Sequence, residues 1–382
     1  MLPVERKHPA RNLSRRSRGL SLVELMVGMV ISLICVLGMM SAFSIYEGRK
    51  RTITSGSDAQ QNGMYSLFEL ERQIRTAGSG LTQGFNYGLW GCSVTAYSGN
   101  AKKLPSATAM PAAFAAWPSA TPTKMRVVPV LIASGGSDDA GHAKPDTLAV
   151  MGGNPSVTVF RAAITGVPGT SSVTLDNAFG FAANDYVLAT TSTGECSLAK
   201  IASASSSGSQ LSLSAADTPP TGLTVNGNVF DLGTQPSISL YGIDPAASTL
   251  VAYDMLGRDG TAPVTIADGV VQIKALYGID SDGDDVVDTW VQPTGDWAID
   301  KLTTDQGTAA AAFAKIKAVR IAVVAQSLLP ERAADYTGAA TLTLFGDLAA
   351  GLRYTVGVQP QYRYKVYDTI IPIRNAIITR HF

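Results

Sequence analysis

From Leu25 to Tyr46 the chain runs for 22 residues without a charged side chain. Wound as a helix at about 1.5 Å per residue, that length covers the roughly 30 Å hydrocarbon core of a bilayer. Farther along the apolar positions thin out into a stripe. Met64, Leu67, Leu70 and Ile74 recur at three- and four-residue spacing, which predicts that the helix continues with one face packed on a sheet. Glu71 and Arg75 add an i,i+4 pair to that segment, and Gly78, Gly80 and Gly84 end it.

After Gly84 the period shortens to two. Strand-like runs appear at 146–152, 156–160, 171–175, 185–191, 248–255, 270–278, 316–327 and 362–368, rich in β-branched residues. In Tyr362-Arg363-Tyr364-Lys365-Val366 apolar and basic residues alternate, the pattern of a half-buried strand. Residues 104–123 and 202–222 are Pro-, Ala- and Ser-rich and read as connectors, and a short helix is expected around Thr308–Lys315. The expected fold class is α+β. A long N-terminal helix spans 20–80, its transmembrane part about 20–46 and its second half amphipathic, and it packs on one large β-rich head formed by 81–382.

Composition narrows the class. Of 382 residues 46% are apolar, enough for a cored body outside the membrane segment, and 37 glycines favour short strands and turns. The net charge of zero hides an asymmetry: residues 1–19 carry six basic side chains and one acid, leaving 24 basic against 29 acidic residues, a net of −5, in the rest. An acidic body without a basic stripe argues against direct contact with nucleic acid. The stretch 11–19 supplies four arginines ahead of the apolar run against Arg49, Lys50 and Arg51 behind it, so the N-terminus is expected in the cytoplasm and the body on the far side. There Cys92 and Cys196 are expected to form one structural disulfide. Cys35 lies inside the apolar run.

Glu24 sits at the start of that run, in RGLSLVELMVGMV. A carboxylate in hydrocarbon costs several kcal/mol, roughly 3 on insertion scales. A cleaved secretory signal would have a shorter apolar core and a small-residue cleavage site. A plain anchor explains the length but not the acid, and a glutamate reaching out to the interface is the remaining simple account.

RGLSLVELMVGMVISL resembles the class III leader of type IV prepilins and type II secretion pseudopilins: a basic leader ending in Gly19, an apolar first mature residue, Leu20, and a glutamate as the fifth. The resemblance implies that a membrane prepilin peptidase removes 1–19, cutting between Gly19 and Leu20, and methylates the new amine. Leu20 departs from the phenylalanine commonest at that place while keeping its apolar character. Family precedent has Glu24 meeting the N-terminal amine of a neighbouring subunit in the filament. A buried charge is tolerated when paired and selects register, so Glu24 would act as an assembly key. The C-terminal run RYKVYDTIIPIRN (363–375), the Gly-Cys at 91–92 and KAVRIAVVAQS resemble PilW-type minor pilins. That resemblance implies a non-enzymatic subunit: an inner-membrane precursor with a periplasmic head that later enters the extracellular pilus. By the same resemblance it would prime or join type IV pilus assembly at or near the tip and support adhesion and twitching motility. Its partners would be the prepilin peptidase, other minor pilins and the major pilin, a PilY-type tip adhesin and the inner-membrane assembly platform. A type II secretion or DNA-uptake pseudopilin shares the leader, Glu24 and the stem, and is the alternative.

One further motif carries chemistry. YGIDSDGDDVVDTW places Asp280, Asp282, Asp284 and Asp288 at loop positions 1, 3, 5 and 9, and the Val286 carbonyl adds a fifth oxygen. Alternating carboxylates in a Gly-containing turn suit a hard cation such as Ca²⁺, which takes about six to eight oxygens. Asp285 and Val291 stand where an EF-hand has glycine and glutamate, so the loop looks more like thrombospondin-type calcium repeats. A structural Ca²⁺ stiffening the loop is expected; the simpler reading is a solvated acidic turn. The chain has no P-loop, G-x-S-x-G, H-E-x-x-H or dinucleotide fingerprint. His142 near Asp139 falls in a Gly-rich loop and reads as a surface histidine, and an anchored enzyme would need a convergent polar site that the sequence does not display.

Overall fold

The computed structural model describes residues 19, 21–82, 84, 86–118, 124–154, 161–191, 193–205, 208–219, 227–257, 262–333 and 336–378. The expected strand at 156–160 lies outside them. The chain divides into two compact units, Met1–Thr54 and Ser55–Phe382. The helix Leu22–Thr76 contributes to both.

In the first unit the helix is long and apolar enough to cross a membrane by length and composition. Side chains all around it are exposed, Leu22, Met29, Ile34, Met39 and Phe43 among them. A helix apolar on every side has no solvated face in water and suits a lipid or protein surround.

In the second unit the same helix has one buried line: Ser55, Ala59, Gly63, Ser66, Leu70 and Ile74. The first four are small, and the reason is the sheet they approach. A Cβ on Gly63 would run into the ring of Tyr367 and come within 2.9 Å of the Ala325 methyl. The expected stripe is therefore corrected in its first half. Leu70 and Ile74 are core and Leu67 packs against it, but Met64 is 61% exposed beside exposed Tyr65 and Phe68. Spacing alone cannot separate Met64 from Gly63 when contact is made through small residues. Polar ties fix the seam: the Tyr367 hydroxyl donates to the Gln60 carbonyl at 3.1 Å, and Asn375 Nδ2 to the Ala77 carbonyl at 2.8 Å. Glu71 accepts from Arg75 Nε at 2.8 Å, a half-exposed pair worth a few tenths of a kcal/mol, about 0.3–0.5. The helix ends at Thr76, and Gly78 and Gly80 follow with φ of +78° and +77°, a conformation that side chains disfavour.

The β-rich remainder forms three sheets and a hairpin among the described residues. The four-stranded sheet runs Thr289–Val291, Val270–Ile279, Ile316–Gln326, Tyr364–Pro372 and receives the helix seam. The five-stranded sheet runs Val264–Asp268, Thr249–Asp254, Ser237–Asp244, Thr147–Gly152, Val130–Ala133. An eight-stranded sheet carries the disulfide region, and Thr341–Leu344 with Tyr354–Gly357 makes the hairpin. Named strand pairs are antiparallel except Ser93–Ser98 with Glu195–Ala204. The long helix followed by a β-rich body is the α+β arrangement that the sequence predicts, and Gln306–Lys315 is helical, capped by Asp305 accepting from the Thr308 N–H.

Two local expectations change. The connector 202–222 contains the strand Gln210–Leu213, because Leu211 and Leu213 alternate inward among its serines, and the connector 104–123 drops Phe114 into the core. The C-terminal strand is Tyr364–Pro372, shifted from 362–368, and Val366 and Ile370 are exposed. It is an edge strand whose other face packs through Tyr367 and Ile371, while Tyr364 at its start packs against the cluster under the hairpin.

Gly63→Leu should cost about 1–3 kcal/mol through overpacking against Tyr367 and Ala325, whereas Met64→Ser should stay within about 0.5 kcal/mol. Thermal unfolding of a 55–382 fragment checks both. Asp231 gives a pH signature. It is buried, its Oδ1 accepts from the Gly233 N–H at 2.8 Å, its Oδ2 has no hydrogen-bond partner among the described residues, and burial pushes its carboxyl up to about 6. The folded state therefore holds this proton more tightly than the unfolded chain. The resulting stability is full below the unfolded value of about 4 and is lost as pH rises through about 6. Asp231→Asn should flatten the melting temperature over that window.

Candidate assembly segment and acidic loop

Ser21 precedes the first helical residue, Leu22, and Glu24 lies in the first turn. Glu24 Oε2 accepts the Ser21 backbone N–H at 3.2 Å, and the Leu25 N–H bonds back to the Ser21 carbonyl at 3.1 Å. A glutamate three residues after a serine, reaching back to that residue's N–H, is half of a capping box, and it sits where the helix dipole favours an anion. The signal Ser-Leu-Val-Glu is legible in the sequence, and it adds a local capping role to the assembly role expected of Glu24. Within one chain, then, Glu24 is held at the helix start by a single backbone donor. Gly19 is exposed; the leader residues 1–18 and Leu20 lie outside the described residues.

Cys92 and Cys196 are joined by a disulfide, with Cα atoms 5.7 Å apart, both wholly buried, 104 residues apart in sequence. The bond ties the parallel pair Ser93–Ser98 and Glu195–Ala204 at its start, where Val94 faces Cys196 in register. Arg126 clamps the adjoining turn, donating to the carbonyls of Gly91 and Thr303, each at 2.7 Å, and of Thr304 at 3.1 Å. Cys35 is free and exposed on the apolar helix.

The acidic loop links Val270–Ile279 to Thr289–Val291. Carboxylate oxygens of Asp280, Asp282 and Asp288 lie within 4.8 Å of one another; Asp284 is not in this group. Each carboxylate also has a local donor. Asp280 accepts the N–H groups of Gly283 at 2.5 Å and Asp285 at 3.1 Å, and Asp288 Oδ2 accepts the Ser281 N–H at 2.7 Å and hydroxyl at 2.6 Å. The Ser281 bonds hold the Asp288 carboxyl below the ordinary carboxylate range. Asp284 accepts the Val286 N–H at 2.8 Å. Asp285, standing where an EF-hand has glycine, adopts φ of +67°, a left-handed turn that aspartate tolerates.

The residue that the motif did not reveal is Lys317. Its side chain is 1% exposed, bonds to Asp285 and lies 3.6 Å from Asp280 Oδ2. An ammonium therefore already balances part of the charge for which the sequence suggests a metal, and a bound cation would share Asp280 with it. A lysine inside the apolar run Ile316–Gln326 was the available signal: such a side chain is buried only when paired. Lys317→Met should destabilise the fold by about 3–5 kcal/mol, because it leaves Asp280 and Asp285 without their counter-charge. Urea denaturation of the 55–382 fragment measures it.

Comparison with known proteins adds two matches to the geometry. Residues 14–40 match the prokaryotic N-terminal methylation motif, and residues 241–375 match the type IV pilus-assembly protein W family. No curated protein matches the chain. A type IV-like pilin from Thermus thermophilus is 13% identical, with 50% of this chain and 84% of that one covered at a TM-score of 0.22, a likeness too loose to argue from. The first matched region contains Gly19, Glu24 and most of the apolar helix segment; the second contains the acidic loop, Lys317 and the edge strand that meets the helix seam. The chain thus carries, toward its two ends, the methylation motif of prepilin-like proteins and the signature of the type IV pilus-assembly protein W family.

Proposed function

We propose that this chain is a minor pilin, made as an inner-membrane precursor, cut after Gly19 and built into the type IV pilus at or near its tip. The observation that carries the reading is the pairing, on one continuous helix, of a methylation-motif match at its start with a small-residue seam against the family-matched strands at its end. Cleavage would free an amine on Leu20 and alter the turn in which Glu24 now accepts from Ser21. The carboxylate is then a ready partner for the amine of a neighbouring subunit inside an apolar filament core, where an unpaired charge is strongly unfavourable. The β-rich unit would stay on the periplasmic side of the membrane and then on the pilus. Other minor pilins, the major pilin, a PilY-type adhesin and the assembly platform are its proposed partners, and adhesion and twitching motility its consequences. A type II secretion or DNA-uptake pseudopilin would share the helix; the match over 241–375 favours the pilus.

Expressed in a piliated host lacking its own copy, Gly19→Ala should accumulate as a slower-migrating precursor, and Glu24→Ala should be processed but recovered in sheared pili at least about tenfold less than wild type, the equivalent of roughly 1.4 kcal/mol. Immunoblots of membrane and pilus fractions read both. Normal incorporation of Glu24→Ala would contradict the proposed pairing, and loss of exoprotein secretion with intact pili would select the secretion reading.

A further inference from the structure

We propose that the folded chain closes an amide bond between the side chains of Lys274 and Asp146. Lys274 lies on Val270–Ile279 of the four-stranded sheet, and Asp146 immediately precedes Thr147–Gly152 of the five-stranded sheet, so the bond would staple one sheet to the other. Both side chains are 0% exposed, and Lys274 Nζ contacts Asp146 Oδ1 directly.

The carboxyl is held in one orientation. Oδ1 accepts the Gly135 N–H and Oδ2 accepts the Ala275 N–H, each at 3.0 Å. The backbone is tied as well, the Asp146 N–H donating to the Ile273 carbonyl at 2.9 Å. On the other side Nζ donates to the Lys144 carbonyl at 3.3 Å, and the Tyr354 ring covers it with its centroid 4.3 Å away. The Tyr354 hydroxyl is buried and has no hydrogen-bond partner among the described residues. Gln272 Nε2, donating to the Ala143 carbonyl at 2.7 Å, closes the flank. Amine and carboxyl are thus in contact in a site closed to solvent and fixed by hydrogen bonds.

Such a site reverses the usual disadvantage of condensation. In water an ammonium and a carboxylate are each stabilised by solvation, and water in excess hydrolyses the product. Here solvation is removed, and burial pushes the Asp146 carboxyl up against the opposing pull of Lys274, favouring the neutral acid. Fixed contact supplies the large effective concentration of an intramolecular reaction, on the order of 10⁵ M or more. The step balances within the pair. A proton passes from the ammonium to the carboxylate, the lone pair of the neutral Nζ then bonds to Cγ, the Cγ–Oδ1 bond breaks, and Oδ1 leaves as water with that proton and a second one from Nζ. Net charge is zero before and after, and no oxidant or co-reactant is consumed. Oδ2 remains as the amide oxygen, and the Ala275 N–H that it already accepts also stabilises the negative charge built there in the tetrahedral intermediate. The remaining amide N–H keeps the Lys144 carbonyl as its acceptor.

Lys317 marks the contrast. It is equally buried, but the acid it contacts, Asp285, is 16% exposed, and the fully buried Asp280 stands off at 3.6 Å, so neither offers a buried carboxyl in direct contact.

The test is mass spectrometry of the full-length chain purified in detergent, reduced, alkylated and digested with trypsin. The expected product is a branched peptide joining the segments around Lys274 and Asp146, one water lighter than its two parts, with trypsin no longer cutting after Lys274. Fragment ions that place the loss across the two chains separate it from dehydration within one aspartate. Recovery of Lys274 and Asp146 only in linear, full-mass peptides overturns the proposal. Because the readout is taken on wild type, it stands whether or not the Asp146→Ala and Lys274→Arg controls fold; where they do fold, both should lack the branched peptide.

Discussion

One constraint organises the chain: a single helix, Leu22–Thr76, has to suit two different surroundings with its side chains while its backbone satisfies itself throughout. Its first part answers by being apolar on every side, and its part beyond Ser55 answers by narrowing to a one-sided line of small residues. Glu24 is the one acid between Leu22 and Tyr46, and it is placed where the cost is lowest, in the first turn, against the Ser21 N–H. A carboxylate there is stable alone and available to a better donor, and that combination is what an assembly contact requires.

Within the β-rich unit, two buried lysines meet acids on elements distant in sequence. Lys317 holds the acidic loop to an inner strand of its sheet, and Lys274 meets Asp146 between two sheets. Removing one member of a buried pair costs more than the pair itself contributes, so these contacts specify which strands meet as much as they stabilise the meeting. The disulfide does similar work in the eight-stranded sheet. By the chain-entropy account, closing a loop that long stabilises by about 4–5 kcal/mol.

What was legible in the sequence follows from these physical differences. The apolar run of the helix, the apolar, β-branched strands at 270–278 and 316–327 and the end of the long helix are period and composition signals, and they are strong. Met64 was misplaced because the seam is built from Gly63 and its small neighbours, whose contribution is close approach and not hydrophobicity. The strand Gln210–Leu213 was hidden by its serines. Lys317 and Lys274 stood in plain view inside apolar runs, but their partners, Asp285 and Asp146, lie 32 and 128 residues away, distances over which no local pattern reports. The acidic loop was recognised as a cluster of carboxylates, while the ammonium that balances it came from another strand.

Under the proposed function this chain reaches the pilus with a processed, charged N-terminus set against Glu24 of a neighbouring copy or pilin. The most direct measurement is peptide sequencing by mass spectrometry of this polypeptide recovered from sheared pili. The account predicts that it begins at Leu20 with a methylated amine. Finding it there with residues 1–19 still attached, or not finding it in the fibre at all, would contradict the account.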